Sequence, residues 1–174
     1  MNEIVLIKPN EKFKMAVEEY KKEFEDNNEE LCGTAGLNKA KNFDEWISAI
    51  EDNSSEETAR EGLVPASTYL AIRAIDGKLL GMIDVRHRLN EYLLQFGGNI
   101  GYSIRKSERR KGYGKEMLRQ ALEKCKDMNI NKVLITCDRN NIASANTIKS
   151  QGGILENEVR EDNEIIQRYW INLK

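Results

Sequence analysis

The run Arg109-Arg110-Lys111-Gly112-Tyr113-Gly114 puts three cations and two glycines into six residues. Residues of these types at this spacing can bind a phosphorylated ligand. Glycine lets the backbone approach a ligand closely and take conformations that a Cβ forbids. A strand-like run, Ile100 to Ile104, precedes the motif, and a helical run, Gly112 to Met128, follows it. The first turn of a helix presents unpaired N–H groups and the positive end of the helix dipole, so an anion is well held there. Two better-known phosphate loops are excluded. A Walker loop needs a first Gly where Arg109 stands and Ser or Thr where Glu116 stands, and a dinucleotide fingerprint needs a third Gly where Met117 stands.

The elements around the motif follow from periodicity. The helical run carries Tyr113, Met117, Leu118, Ala121, Leu122, Cys125 and Met128 as one apolar stripe, and Lys132 to Cys137 then reads as a strand. Upstream, Asn2 to Ile7 reads as an edge strand ended by Pro9. Residues 11 to 26 read as a helix through Phe13, Val17, Tyr20 and Phe24, and residues 31 to 37 as a loop. A second helix through Trp46, Ile47 and Ile50 is expected to be capped by Asp44. Residues 51 to 62 are charged and turn-rich, an exposed loop. Thr68 to Ala74 and Leu79 to Val85 form a hairpin around Asp76-Gly77. Residues 87 to 98 form a longer polar connection. Residues 142 to 151 read as a short helix stopped by Gly152-Gly153, and Ile154 to Val159 and Glu164 to Leu173 as two closing strands. With no repeat, low-complexity tract or linker, residues 1–174 are expected to form one α+β domain, its mixed, mainly antiparallel twisted sheet flanked by helices.

Strand, Arg-x-x-Gly-x-Gly, helix, strand and Asn-x-Ala-Ser, in that order, resemble the GNAT superfamily of acyl-CoA-dependent N-acetyltransferases. The residues that carry the resemblance are Ile100-Gly101-Tyr102-Ser103-Ile104-Arg105, Arg109 to Gly114, Asn141-Ile142-Ala143-Ser144 and Gly152-Gly153, within a span of roughly 67 to 160. The resemblance implies acetyl-CoA as co-substrate and no metal. Main-chain N–H groups of Arg110, Lys111, Gly112, Tyr113, Gly114 and Lys115 would hold the pyrophosphate, behind Arg109. Ser103, Ile104 and Arg105 would lie along the pantetheine arm. Asn141 would hydrogen-bond near the pantetheine or the leaving sulfur, with Ser144 beside it. The implied reaction is direct attack of a primary amine on the thioester through a tetrahedral intermediate, the carbonyl polarised by main-chain N–H groups at Ile104 and Arg105. Many members carry a proton-donating Tyr four residues after the Ser; here that position is Ile148. Tyr102 and Tyr113 are the replacement candidates, and a thiolate with an unperturbed pKa near 8.5 leaves tolerably well unprotonated.

An attacking amine must first lose its proton. Candidate bases are Glu91, His87 and Asp84, on or after the strand expected beside the acceptor; Asp84 ranks last because it alternates with apolar Ile83 and Val85. The acceptor side is expected to be walled by the first two helices. Residues 18 to 30 there hold seven carboxylates, including Glu18, Glu19, Glu23 and Glu29, against Lys21 and Lys22, which would concentrate a cationic small-molecule or peptide amine.

Charge and composition narrow the rest. Net charge is −2, yet residues 105 to 119 hold seven cations against Glu108 and Glu116, a local +5 that leaves −7 elsewhere. A basic patch on an acidic chain suits a compact polyanion such as CoA better than long nucleic acid. No apolar run spans a bilayer, and the first residues begin a strand rather than a leader, so a cytoplasmic protein without membrane or nucleic-acid partners is expected. Cys32, Cys125 and Cys137 show no paired spacing and read as free thiols, buried for Cys125 and Cys137; one His makes an imidazole zinc site unexpected. Two other functions stay in view: a non-catalytic acyl-CoA sensor, which Ile148 would suit, and a nucleic-acid module, which the overall charge disfavours. Monomer or homodimer stays open.

Overall fold

The computed structural model describes residues 3–174. Eleven regular elements follow in chain order: β1 (Ile4–Ile7), α1 (Lys14–Asp26), α2 (Phe43–Asp52), β2 (Ala66–Arg73), β3 (Leu79–Arg86), β4 (Ile100–Ile104), α3 (Tyr113–Asp127), β5 (Lys132–Asp138), α4 (Ile142–Ser150), β6 (Ile154–Glu161) and β7 (Glu164–Asn172). The strands form one sheet in the order β1-β2-β3-β4-β5-β7-β6. Every pairing is antiparallel except β4 with β5, which meet only at Ile100 and Ile135.

Strand alternation divides the core between the two faces of the sheet. One face packs Leu80, Ile83 and Val85 against the α3 stripe of Met117, Leu118, Ala121 and Cys125, with Ala145 and Ile148 of α4 in the same cluster. The other packs Leu70, Ile72 and Met82 beneath Val17, Tyr20 and Phe24 of α1 and Phe43 and Trp46 of α2. Strands β2 and β3 are thus covered on both faces, while β6 is largely exposed, and the β4–β5 junction is the weakly bonded seam. Asn99 pins the closed end of that seam. Its main chain bonds Leu134 and Arg86, and its side chain accepts from the N–H of Leu134 and donates to the carbonyl of Arg86.

Two local expectations change. Asp44 does not cap α2; Asn42 does, its side chain accepting from the N–H of Glu45 at 2.9 Å, while Asp44 sits in the first turn. Both are good capping residue types, and the choice falls to Asn42, whose backbone is extended. The connection after β3 contains a π-helical turn, Leu93–Gly97, because Asn90 accepts from the N–H of Leu93 and nucleates it. The first residues of the expected opening strand, Met1 and Asn2, lie outside the described residues.

Candidate active site

Gly112 initiates α3 in the left-handed region, φ +84°, and no side chain caps the helix start. The contrast within the molecule is clear. Asn42 caps α2, and Asn141 caps α4 by accepting from the N–H of Ser144 at 3.1 Å. The first-turn N–H groups of α3 instead face a cleft of about 600 Å³ in the β4–β5 seam. Tyr102, Ser103 and Ile104 of β4 form one wall, and Asn141, Ser144 and Thr147 the other. Gly114 lines the cleft beside Ile104 and Thr147, so a side chain there would fill the space in front of the free N–H groups. An uncapped helix start of this kind suits an anion, and the protein's own side chains leave it open.

The two residues at the middle of β4 are fixed from opposite faces. The Ser103 hydroxyl meets the hydroxyl of fully buried Tyr20 at 2.9 Å, and the Tyr102 hydroxyl meets Ser144 Oγ at 2.9 Å. Burial pushes the Tyr102 phenol up to about 12, so it is protonated at neutral pH. Ile148, where the resemblance would have a tyrosine, is fully buried in the core and does not line the cleft.

Two cations of the basic stretch turn their side chains away from the cleft. Arg105 is buried and turned under β4, its Nε donating to Glu23 at 2.6 Å, Nη2 to Glu19 at 3.1 Å and Nη1 to the carbonyl of Leu79. The Lys111 ammonium turns inward to Glu108 at 2.9 Å, where Arg73 and Lys78 also converge. Lys78, Lys111 and Arg73 hold the buried Glu108 carboxyl well below the usual range, at about 2. Glu108 thus ties the loop before α3 to the β2–β3 hairpin. Arg109, Arg110 and Lys115 remain on the cleft. The Arg109 Nε donates to the carbonyl of Ile104 at 2.9 Å, and its guanidinium pairs with Glu29 at 2.5 Å.

A second cavity, about 640 Å³, lies beneath α2 and the chain that follows it. The two hollows share no lining residue, and Gly33 packs on Gly101 between them. Asp84, at the inner end of this cavity, is the cross-strand partner of Gly101, whose successor Tyr102 lines the first cleft. The loop before α2 serves both, Cys32 facing the cleft and Ala35 and Gly36 the cavity. Between them Gly33, φ +67°, lies on β4 so closely that a Cβ would run into the carbonyl oxygen of Gly101. Cys32 is exposed, whereas Cys125 and Cys137 are buried.

The three candidate bases separate. Asp84 is 4% exposed, accepts from Thr68 Oγ1 at 2.8 Å and pairs with Arg86 Nε at 3.4 Å; burial raises its pKa against the opposing pull of Arg86 and Thr68. His87 lines neither hollow; its Nε2 is 2.7 Å from the Ser67 hydroxyl, and burial lowers its pKa. Glu91 is exposed on the outer connection and also lines neither. Sequence alternation placed Asp84 off one core layer without revealing that Trp46 and Leu93 close a cavity over it. Thr68, Arg86 and Gly33 come from separate segments and carry no local signal of a shared site.

The acidic stretch is largely consumed by the protein itself. Glu19 and Glu23 hold Arg105, Glu25 and Asp26 pair with Lys21 and Lys22, and Glu29 pairs with Arg109.

This mixed sheet, parting beside an uncapped, glycine-started helix, is a fold shared with solved acetyltransferases. The Acetyltransferase (GNAT) domain matches residues 38–154, and the chain belongs to that family, whose members use acetyl-CoA. No functionally curated sequence relative matches. Among solved structures, the ribosomal-protein-S5-alanine acetyltransferase of Vibrio fischeri superposes with TM-score 0.68 at 13% identity, over 98% of this chain and 92% of that one. A spermidine N-acetyltransferase chimera from Vibrio cholerae and hSSAT gives 0.67 at 15%, over 98% and 95%. A Salmonella typhimurium protein assigned as an acetyltransferase, solved with acetyl-CoA, gives 0.61 at 12%, over 99% and 95%. Identities this low establish the shared fold. Among the described residues no helix is long and apolar enough to cross a membrane.

Proposed function

We propose that this acetyltransferase moves an acetyl group from acetyl-CoA to a primary amine, with the co-substrate in the β4–β5 cleft and the amine arriving from the cavity at Asp84. The observation that carries the reading is the uncapped α3 start, open to a cleft whose neighbouring helix is capped by its own Asn141. The residues fit the co-substrate. Tyr113, Gly114 and Lys115 offer main-chain N–H groups to a diphosphate, Arg110 and Lys115 add charge, and β4 offers an edge free of β5 beyond Ile100. Acetyl-CoA supplies the activated acyl group.

Asp84 takes the amine's proton, directly or through water. A carboxylate whose pKa burial raises is, when ionised, a stronger base than an exposed one. Tyr102, protonated and joined to Ser144, is placed to return a proton to the departing thiolate, in place of the tyrosine absent at position 148. Buried Ile148 also favours a second reading, an acyl-CoA sensor without turnover. One experiment separates them. Free-thiol release from acetyl-CoA across a panel of amines, alongside calorimetry of acetyl-CoA binding, should give both binding and turnover. Tight binding without thiol release on any amine supports the sensor. Absence of binding removes both readings.

A further inference from the structure

The second cavity tells what kind of amine it takes, granted that acetyl transfer occurs at its inner end. Ala35, Ala49, Ile50, Val64 and Leu93 supply apolar walls from four separate segments, with Trp46 behind them. The mouth is apolar as well. Leu63 and Tyr92 line it and are 53% and 57% exposed, although they lie on different loops. Two large hydrophobic residues left in water at the rim of one hollow mark a surface that an apolar ligand covers.

The charges point the same way. A polyamine or aminoglycoside needs unpaired carboxylates for its second and third ammonium groups. Asp84 is engaged by Arg86 and Thr68, Asp52 by Arg60, and Glu56 by Arg88. Among the lining residues, Glu45 is the remaining carboxylate, and Lys39 lines the same cavity with no ion-pair partner among the described residues. With Arg60 neutralised by Asp52, Lys39 and Arg86 balance Glu45 and Asp84, so the cavity has no net negative charge to hold a second ammonium. A second ammonium pushed among Ile50, Val64 and Leu93 would lose its hydration and find no counter-charge. The volume of about 640 Å³ is that of a small-molecule site.

We infer that the acceptor is a small primary amine on an apolar body with no second positive charge. An aliphatic series tests this without knowledge of the natural substrate. With saturating acetyl-CoA, kcat/KM for propylamine, butylamine, pentylamine and hexylamine should rise by up to about fourfold per methylene until the cavity is filled, the gain for burying one CH₂. 1,4-Diaminobutane should be at least tenfold poorer than butylamine. Leu63→Asp, at an exposed position that folding does not depend on, should flatten the length series and narrow the gap between diamine and monoamine. A length-independent series, a preferred diamine, or a preference for a peptide N-terminus over hexylamine overturns the inference while leaving acetyl transfer in place. Thiol release with no amine at all overturns the transfer reading itself.

Discussion

The cleft at the α3 start and the cavity at Asp84 flank Gly33 and are built in opposite ways. The cleft takes the groups proposed to bind the diphosphate from one contiguous stretch, Arg109 to Lys115, and these are mainly main-chain N–H groups. The cavity draws its lining from the loop before α2, α2 itself, the chain after it, β2, β3 and the π-turn, and uses side chains. A site made of backbone is insensitive to most side-chain changes but intolerant of a lost glycine. A site made of side chains can change its ligand while the fold stays constant.

That difference can be broken from either side. The largest effect is expected from Asp84→Asn, which keeps the shape and the Thr68 contact but removes the base. It should lower kcat by about 10²- to 10⁴-fold, the usual worth of a positioned base, with acetyl-CoA affinity unchanged by calorimetry. The pH profile supplies the sign. A base works ionised, so kcat/KM should rise with pH through the folded-state pKa of Asp84, which burial moves above its ordinary value. That rising limb should disappear in the variant. His87→Ala and Glu91→Gln should keep it. If either of them removes it instead, the base has been misplaced.

The reciprocal experiment attacks the backbone. Gly112→Val puts a β-branched residue at φ +84°, and Gly114→Phe fills the cleft beside Ile104 and Thr147. Together they should weaken acetyl-CoA by about 100-fold, near 3 kcal/mol, with helix content retained by circular dichroism. Affinity within threefold of the parent would mean that the α3 start is not where the diphosphate sits.

The same contrast explains what the chain disclosed before folding. The β4-loop-α3 unit was legible because hydrophobic period, glycine placement and charge all fall within thirty residues and agree. So were the Asp76-Gly77 hairpin and the closing strands. The fate of individual cations was not. Nothing in the local sequence sets Arg105 and Lys111 apart from Arg110, and only the approach of Glu23 and Glu108 turns them away from the cleft. The acidic stretch misled for the same reason: its carboxylates find partners up to 86 residues distant. Strand alternation says which face Asp84 is on and nothing about what roofs that face.

A smaller effect falls on the seam itself. Tyr102→Phe removes the hydroxyl that meets Ser144 and should lower kcat by about tenfold, less than a full general-acid contribution because a thiolate already leaves tolerably well. The loss should shrink when a more acidic thiol replaces CoA as leaving group in an acetyl-pantetheine analogue. A loss that ignores the leaving group makes Tyr102 a positioning residue only.

The least expected effect on turnover, and the most informative about the loop, comes from Glu108→Gln. Its carboxyl, 5% exposed, is held at about 2 by Lys78, Lys111 and Arg73, below an unfolded value near 4.5. A depressed carboxylate stabilises the fold fully above its unfolded pKa and ceases to do so as pH falls through the folded one. The variant should therefore melt lower than the parent at pH 7, by about 2–4 °C for each kcal/mol lost, and the two melting curves should converge as pH drops from about 5 toward 2. The freed Lys111 ammonium then becomes available to the cleft. If the loop is positioned by Glu108, acetyl-CoA KM should rise severalfold despite that added charge, with kcat nearly constant. A fall in KM would mean that charge, rather than the fixed path of the backbone from Arg109 to Gly114, limits binding there.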